Sequence, residues 1–432
     1  MSTRNLVVDA LSRVEGEGAL TLRLEGDEVV ECKLRIFEPP RFFEALLAGR
    51  PAAEAPDITA RICGICPVAY QMSSCHAIEA AWGMRPGAAV RELRRLLYCG
   101  EWIESHVLHM VMLHAPDFLG VPDVMTLAAQ APERVRGALR VKKAGNAIVA
   151  RLGGREIHPV NVRLGGFHRA PEVAELRALL PELVAAREEA EALLDWCAGF
   201  PFPRRERDVE LVALWHPDEY AMNEGRWRST RGLDVSADEV ETQLVEEQVP
   251  WSTALHGRLR GRGVHLTGPQ ARLALSFDRL SPRALAAAAR ARVTPRDGLN
   301  PFRSILARGV EVVYALDEAV RIIEGYVKPA EAAADVPGSP PESRGCAITE
   351  APRGSLYHRY DLAEGGVIRA ARIVPPTTQN LPAIEDDLRG SARILASLPE
   401  DAARARAEHA IRNYDPCISC ATHFLKLRVV RS

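Results

Sequence analysis

AAVRELRRLLYCGEWIESHVLHMVMLH, residues 88–114, decides the fold. Val90, Leu93, Leu97, Ile103, Val107, Met110 and His114 recur mostly at three- and four-residue steps, the period of an amphipathic α-helix. At 1.5 Å per residue a helix of this length spans ~40 Å. A helix that long is usually the central member of a bundle, and Pro116 is expected to end it.

Outward from this segment, further helices are expected at 132–152, 172–198, 282–293, 302–326 and about 383–410. Pro132 opens the first and Gly153-Gly154 closes it. The second is expected to be kinked or split at Pro181. Residues 57–83 carry a cysteine pair followed by helix-like spacing that Gly83 closes. Alternation around Gly26-Asp27 predicts a hairpin from 19–25 and 29–37. A second hairpin, 355–361 with 367–374, turns at Gly365-Gly366 and stops at Pro375-Pro376. Val209 to Leu214 is β-like, and 329–344 is a Pro/Ala-rich loop. No internal repeat is found. The expected fold class is mostly α (α+β): a large central helical bundle with peripheral β-hairpins, forming one unit over 1–432.

The chain has 432 residues, and 55 Lys+Arg against 57 Asp+Glu leave a formal charge of −2. That near-balance argues against a generally basic nucleic-acid binder. No stretch approaches the ~18–20 apolar residues of a membrane span. The N-terminus lacks the apolar core and small-residue cleavage site of a secretion signal. Cysteines stand at 32, 63, 66, 75, 99, 197, 346, 417 and 420. Their odd number and the absence of an export signal favour reduced thiols or metal ligands over a disulfide framework.

Two CxxC pairs, Cys63/Cys66 and Cys417/Cys420, lie at opposite ends of the chain. Two intervening residues let both thiolates reach one metal from a tight turn. Four thiolates suit zinc, iron–sulfur iron or nickel. Three readings are open on the residues alone: a structural zinc, a buried catalytic metal, or two unrelated pairs. Zinc ribbons space their pairs ~15–20 residues apart. A site joining both chain ends depends on the whole fold, which is more natural for a catalytic metal. Other polar clusters framed by Gly and Pro are SRVEG at 12–16, EAPRG at 350–354 and Thr377-Thr378-Gln379-Asn380.

Taken together, these residues resemble the large, catalytic subunit of nickel–iron hydrogenases over nearly the whole chain. RICGICP at 61–67 and DPCISCATH at 415–423 match the family's two cysteine motifs. SRVEG, PRFFE at 40–44, GGREIHP at 153–159 and EAPRG match its smaller signatures in order. RICGICPVAYQ and DPCISCATHFLKLR resemble most the cytoplasmic, bidirectional, NAD(P)-linked subgroup, sometimes called sulfhydrogenases.

The resemblance implies nickel bound by Cys63, Cys66, Cys417 and Cys420. Cys66 and Cys420 would also bridge to an iron carrying CO and cyanide. H2 is then cleaved heterolytically, and reversibly, to protons and electrons. Cys417 would take the proton and Glu15 would pass it outward. Arg353 would lie over the open metal position with Asp117 as its partner. Pro352 and Thr378 would line the pocket of the diatomic ligands. Glu44 and His423 would hold a magnesium ion. Tyr70 departs from the His common in the family, and His76 is a possible substitute. Residues 424–432 match a tail removed by a maturation protease after nickel-insertion factors have acted. The chain has no spare cysteines in cluster patterns and no GxGxxG, so the clusters and flavin must sit elsewhere. The implied partners are an iron–sulfur small subunit, docked near Cys63 and Cys66, and a flavin/NAD(P) module. The alternatives are the related quinone-binding subunit of respiratory complex I, which lacks these thiolates, and a zinc-stabilised assembly subunit.

Overall fold

The structure is a computed structural model that describes residues 3–338 and 340–422. His423 and the 424–432 tail lie outside the described residues.

The chain opens with an antiparallel sheet of β1 (Thr3–Val8), β2 (Gly18–Glu25) and β3 (Glu28–Ile36), in that order. The expected first hairpin is its β2–β3 half. Leu20, Leu22 and Leu24 on β2 and Leu34 and Ile36 on β3 are buried, which fixes the register by the period-two rule.

Helices follow. α1 (Pro67–Ala81) begins directly after Cys66, with Pro67 in its first turn, where no backbone N–H is needed. α2 (Ala88–Val107) is the predicted central helix. It does not stop at Pro116: a π-helical turn, Leu108–His114, carries it into a further helical turn, Ala115–Leu119. In the wide turn the Ala115 N–H reaches back to the Met110 carbonyl, and Pro116 falls in the first turn of the next segment. α3 (Pro132–Gly153) packs along α2. The close approach needs glycine on both helices. A Cβ on Gly145 would lie 2.8 Å from the Gly100 carbonyl oxygen, and one on Gly100 3.0 Å from that of Gly145. The 172–198 helix is split, as expected, but before Pro181: Val173–Arg177 is followed by α4 (Leu180–Ala198), with Pro181 in its first turn.

β4 (Glu210–Trp215) centres a small mixed sheet. The 282–293 expectation is met by a helix at Pro282–Arg290, and α5 (Ser304–Glu324) is the buried helix expected at 302–326. The second expected hairpin is the β6–β7 half of a three-stranded antiparallel sheet: β5 (Ser343–Ala351), β6 (Gly354–Leu362) and β7 (Ile368–Val374). β5 was not foreseen, and it packs against α1. The single helix expected at 383–410 is instead three: α6 (Pro376–Arg389), a short helix at Ala392–Ser397, and α7 (Glu400–Arg412). Gly390 and Pro399 mark the breaks, because neither continues a helix readily.

The largest apolar core joins α1 to α5 and contains all four CxxC cysteines. A second core packs the β1–β3 sheet against α6, α7 and Ile418. The thiols therefore sit where the bundle meets the layer formed by both chain ends. No helix among the described residues is long and apolar enough to cross a membrane.

Candidate metal centre

Cys63 lies in the turn after a short helix at Ala55–Ala60, and Cys66 precedes α1. The Ile65 and Cys66 N–H groups donate to Cys63 Sγ at 3.3 and 3.4 Å. Glu101, on α2, accepts from the Val68 and Ala69 N–H groups at 2.7 and 3.1 Å. It thereby caps α1 immediately beyond Cys66. Burial pushes the Glu101 carboxyl well above its ordinary range.

The second pair arrives from α7. Asp415 holds a left-handed backbone (φ 49°), and Cys417 N–H donates to Thr377 Oγ1 at 3.1 Å. Cys417 forms a parallel bridge with Glu15 of the SRVEG loop, where Ile418 N–H donates to the Glu15 carbonyl at 3.0 Å. Gly16 makes this contact possible: its φ is +86°, and a Cβ there would lie 2.7 Å from the Ile418 Cβ.

The four sulfur atoms, all buried, lie within 4.8 Å of one another. Cys63–Cys417 is 3.4 Å, Cys66–Cys420 3.6 Å and Cys417–Cys420 2.9 Å. Metal–sulfur bonds of ~2.3 Å in a four-coordinate site need separations of this order. Their acidity points the same way. The neighbouring thiols, Cys417 foremost, lower the pKa of Cys63, while burial raises those of Cys417 and Cys420. A bound multivalent cation favours the thiolate form of each ligand. The Thr378 hydroxyl, on the helix that packs against Ile418–Ala421, is buried and has no hydrogen-bond partner among the described residues. The residues present fit a thiolate-bound metal.

Glu15 Oε2 is 3.0 Å from Cys417 Sγ and 3.1 Å from the Ser419 nitrogen. Glu15 is half-buried, between the sulfur cluster and the surface.

Arg353 stands at the tip of the β5–β6 hairpin, whose turn is Pro352-Arg353. Its expected partner is corrected by the structure. Arg353 binds Asp415, through Nη2 to Oδ1 at 3.0 Å and Nε to the carbonyl at 2.9 Å, and approaches Ser105 Oγ at 3.4 Å. Burial opposes the charge, but Asp415 and the thiols of Cys417, Cys66 and Cys63 raise its pKa well above arginine's ordinary value. Asp117 is engaged elsewhere. It accepts from Arg412 at 2.7 and 2.8 Å and from Arg13 at 2.6 Å, while Arg412 also donates to the Ser12 carbonyl at 2.9 Å. Asp117 thus anchors the loop that carries Glu15. The reason is geometric: the π-helical turn places Asp117 against α7, not under the hairpin tip.

Arg272 was not foreseen. Buried, it binds Glu311 at 2.7 and 2.8 Å, Glu350 at 2.8 Å, and the Ala351 and Pro352 carbonyls at 3.0 Å each. It braces the hairpin that presents Arg353. No motif flags it, because its partners come from distant segments.

Tyr70 is buried beside the thiols; burial raises its pKa, and charge on Cys420 and Cys66 adds to the rise. His76 does not substitute for the missing imidazole, since it lines a cleft with Glu79, Arg91, Arg94 and Asn223. The ring centroid of His358 lies 5.8 Å from that of Tyr70. Glu44 Oε1 accepts from Ile373 N–H at 2.7 Å, and Arg41 N–H donates to the Thr422 carbonyl at 2.7 Å, so the PRFFE segment lies beside the chain's last described residue.

A family profile described as nickel-dependent hydrogenase matches residues 41–137 and 267–423. The chain belongs to the nickel-dependent hydrogenase family, as a large (alpha) subunit. The alpha subunit of sulfhydrogenase 2 from Pyrococcus furiosus is 34% identical, over 97% of this chain and 99% of its own. That of sulfhydrogenase 1 from the same organism is 31% identical, over 98% of each chain. Among solved structures, an NAD+-reducing [NiFe]-hydrogenase in the H2-reduced state superposes with a TM-score of 0.87 at 28% identity, covering 98% of this chain and all of that one. The protein is a hydrogenase catalytic subunit, and its reaction is the reversible heterolytic cleavage of H2 to protons and electrons.

Proposed function

We propose that Cys63, Cys66, Cys417 and Cys420 hold a nickel–iron pair, with CO and cyanide on the iron, and that the chain works as one unit over 1–432. The observation that carries this is the convergence of four buried sulfurs from opposite chain ends. Such a pair, when bound, supplies the Lewis acidity and soft-ligand electronics for splitting H2.

The chain's own groups do the rest. Cys417 Sγ accepts a proton and relays it to Glu15 Oε2, 3.0 Å away, and Glu15 carries it toward solvent. Arg353, fixed by Asp415 and the Arg272 brace, keeps a permanent positive charge over the thiolates. Thr378 would donate to a cyanide nitrogen, and Pro352 would exclude water beside it. The Tyr70 hydroxyl, buried beside Cys420 and Cys66, would donate to a thiolate when the metals are bound. Asp117 acts as a positioning residue for the Glu15 loop. Glu44 and His423 would hold a magnesium ion.

Electrons leave through an iron–sulfur small subunit docked near Cys63 and Cys66, and reach NAD(P) through a flavin module. The similarity to the two sulfhydrogenase chains and to the NAD+-reducing structure supports this reading. A cytoplasmic enzyme is consistent with that acceptor. A maturation protease removes 424–432 after nickel-insertion factors have acted. Metal analysis with infrared spectroscopy of the purified complex tests the centre: nickel, iron and CO and cyanide bands are expected, and zinc alone would overturn it.

A further inference from the structure

A second metal-ligating cluster lies away from the thiols. One ring nitrogen each of His114 and His409 and a carboxylate oxygen of Asp117 lie within 4.8 Å of one another. His114 closes the π-helical turn, Asp117 lies in the helical turn beyond it, and His409 is on α7.

The imidazoles are prepared as ligands. His114 Nε2 lies 3.0 Å from Asn413 Oδ1; with that nitrogen as the donor, Nδ1 keeps its lone pair. That Nδ1 is buried and has no partner among the described residues, and the same holds for His409 Nε2. An imidazole oriented by a carbonyl through its other nitrogen is the usual arrangement of a metal-bound histidine. Burial keeps both rings neutral, the state a ligand needs. Phe118 packs against both rings, its centroid 4.9 Å from that of His114 and 4.6 Å from that of His409.

Asp117 sets the limits. Its Oδ1 accepts from both Arg13 and Arg412. Among the described residues its Oδ2 accepts only from Arg412 Nε, and it keeps a lone pair. Two guanidinium groups so close disfavour a hard cation, whose binding depends on charge. They disfavour less a borderline cation that draws its affinity from imidazole nitrogen. A surface cleft of about 720 Å³, lined by Arg13, Asp117, Arg406, His409 and Arg412, opens beside two of the three groups.

We propose that His114, Asp117 and His409 form a divalent transition-metal site of the zinc class, separate from the thiolate centre. It ties the turn after α2 to α7, the helix that leads into Cys417 and Cys420.

Zinc chloride, added to the assembled holoenzyme before desalting, is the probe. One retained zinc per chain is expected, with an absorption-edge shell of nitrogen and oxygen at ~2.0–2.1 Å and no sulfur at ~2.3 Å. The sulfur distance separates this site from zinc misplaced among the thiolates. His409→Ala should weaken retention by about tenfold or more while nickel and iron contents stay unchanged. Zinc-edge anomalous scattering from wild-type crystals needs no variant, and should place the peak among the three side chains. No retained zinc, a sulfur shell, a peak elsewhere, or undiminished retention by a folded His409→Ala protein would each overturn the proposal.

Discussion

Glu15 and Cys417, 402 residues apart in sequence, meet at 3.0 Å, carboxylate oxygen to sulfur. The contact is not a side-chain accident. The backbones pair there as well, so the first and last motifs of the chain fold as one small piece of structure. Proton transfer needs donor and acceptor within hydrogen-bond reach, and this backbone pairing supplies that reach.

Glu15→Gln keeps the shape and removes the proton carrier. H2 oxidation and H/D exchange should fall by about 10²–10⁴-fold, with nickel and iron content unchanged. Unaltered rates in stopped-flow and exchange assays would remove Glu15 from the proton route.

Asp117 makes stability depend on acid. Burial alone would raise its pKa, but Arg412 and Arg13 bring it down to about 2. A carboxyl depressed in the folded state adds stability that is complete above its unfolded value of ~3.9 and is lost as pH falls toward 2. The difference of nearly two units corresponds to about 2.5 kcal/mol. Thermal midpoints of the wild type should therefore drop more steeply between pH 4 and pH 2 than those of Asp117→Asn. At neutral pH the variant should also be less stable and slower, because the Glu15 loop loses its anchor. Parallel pH profiles would show that the Arg13–Asp117–Arg412 cluster contributes nothing.

Arg272→Lys should cost about 3–5 kcal/mol. Lysine cannot serve Glu311, Glu350 and two carbonyls at once, so buried charges are left unpaired. CO and cyanide bands in the infrared should shift as the Arg353 hairpin moves. Unshifted bands and an unchanged midpoint would rule out the bracing role.

Intact mass of the metal-loaded chain should place its C-terminus at His423. A mass that includes FLKLRVVRS in active enzyme would end the cleavage proposal.

Periodicity made the bundle legible: α3 buries one face, and α2 and α5 keep three- and four-residue apolar spacing although they are buried on most sides. The π-helical turn left no such mark. Pro116 reads as a stop only if the preceding turn is α-helical, and the wider turn removes the conflict. β5 was missed because its buried run, from Gly345 to Ala351, carries no outward-facing alternation. The cysteines, Glu15 and Arg353 were found through short motifs. Asp415 stood inside one of those motifs, yet its pairing with Arg353 could not be read there. Arg272 and Glu101 act across long separations, and nothing local in the sequence distinguishes them from ordinary charged residues. The Asp117 pairing failed for the same reason: a motif gives the residue, but the fold decides whom it meets.

Nickel-edge X-ray absorption of the purified enzyme tests most directly whether both chain ends grip one centre. A sulfur-dominated shell with iron as a further scatterer is expected, and Cys63→Ser and Cys420→Ser should each remove a sulfur from it. A nickel shell made only of nitrogen and oxygen, or one indifferent to either substitution, would contradict the shared thiolate site.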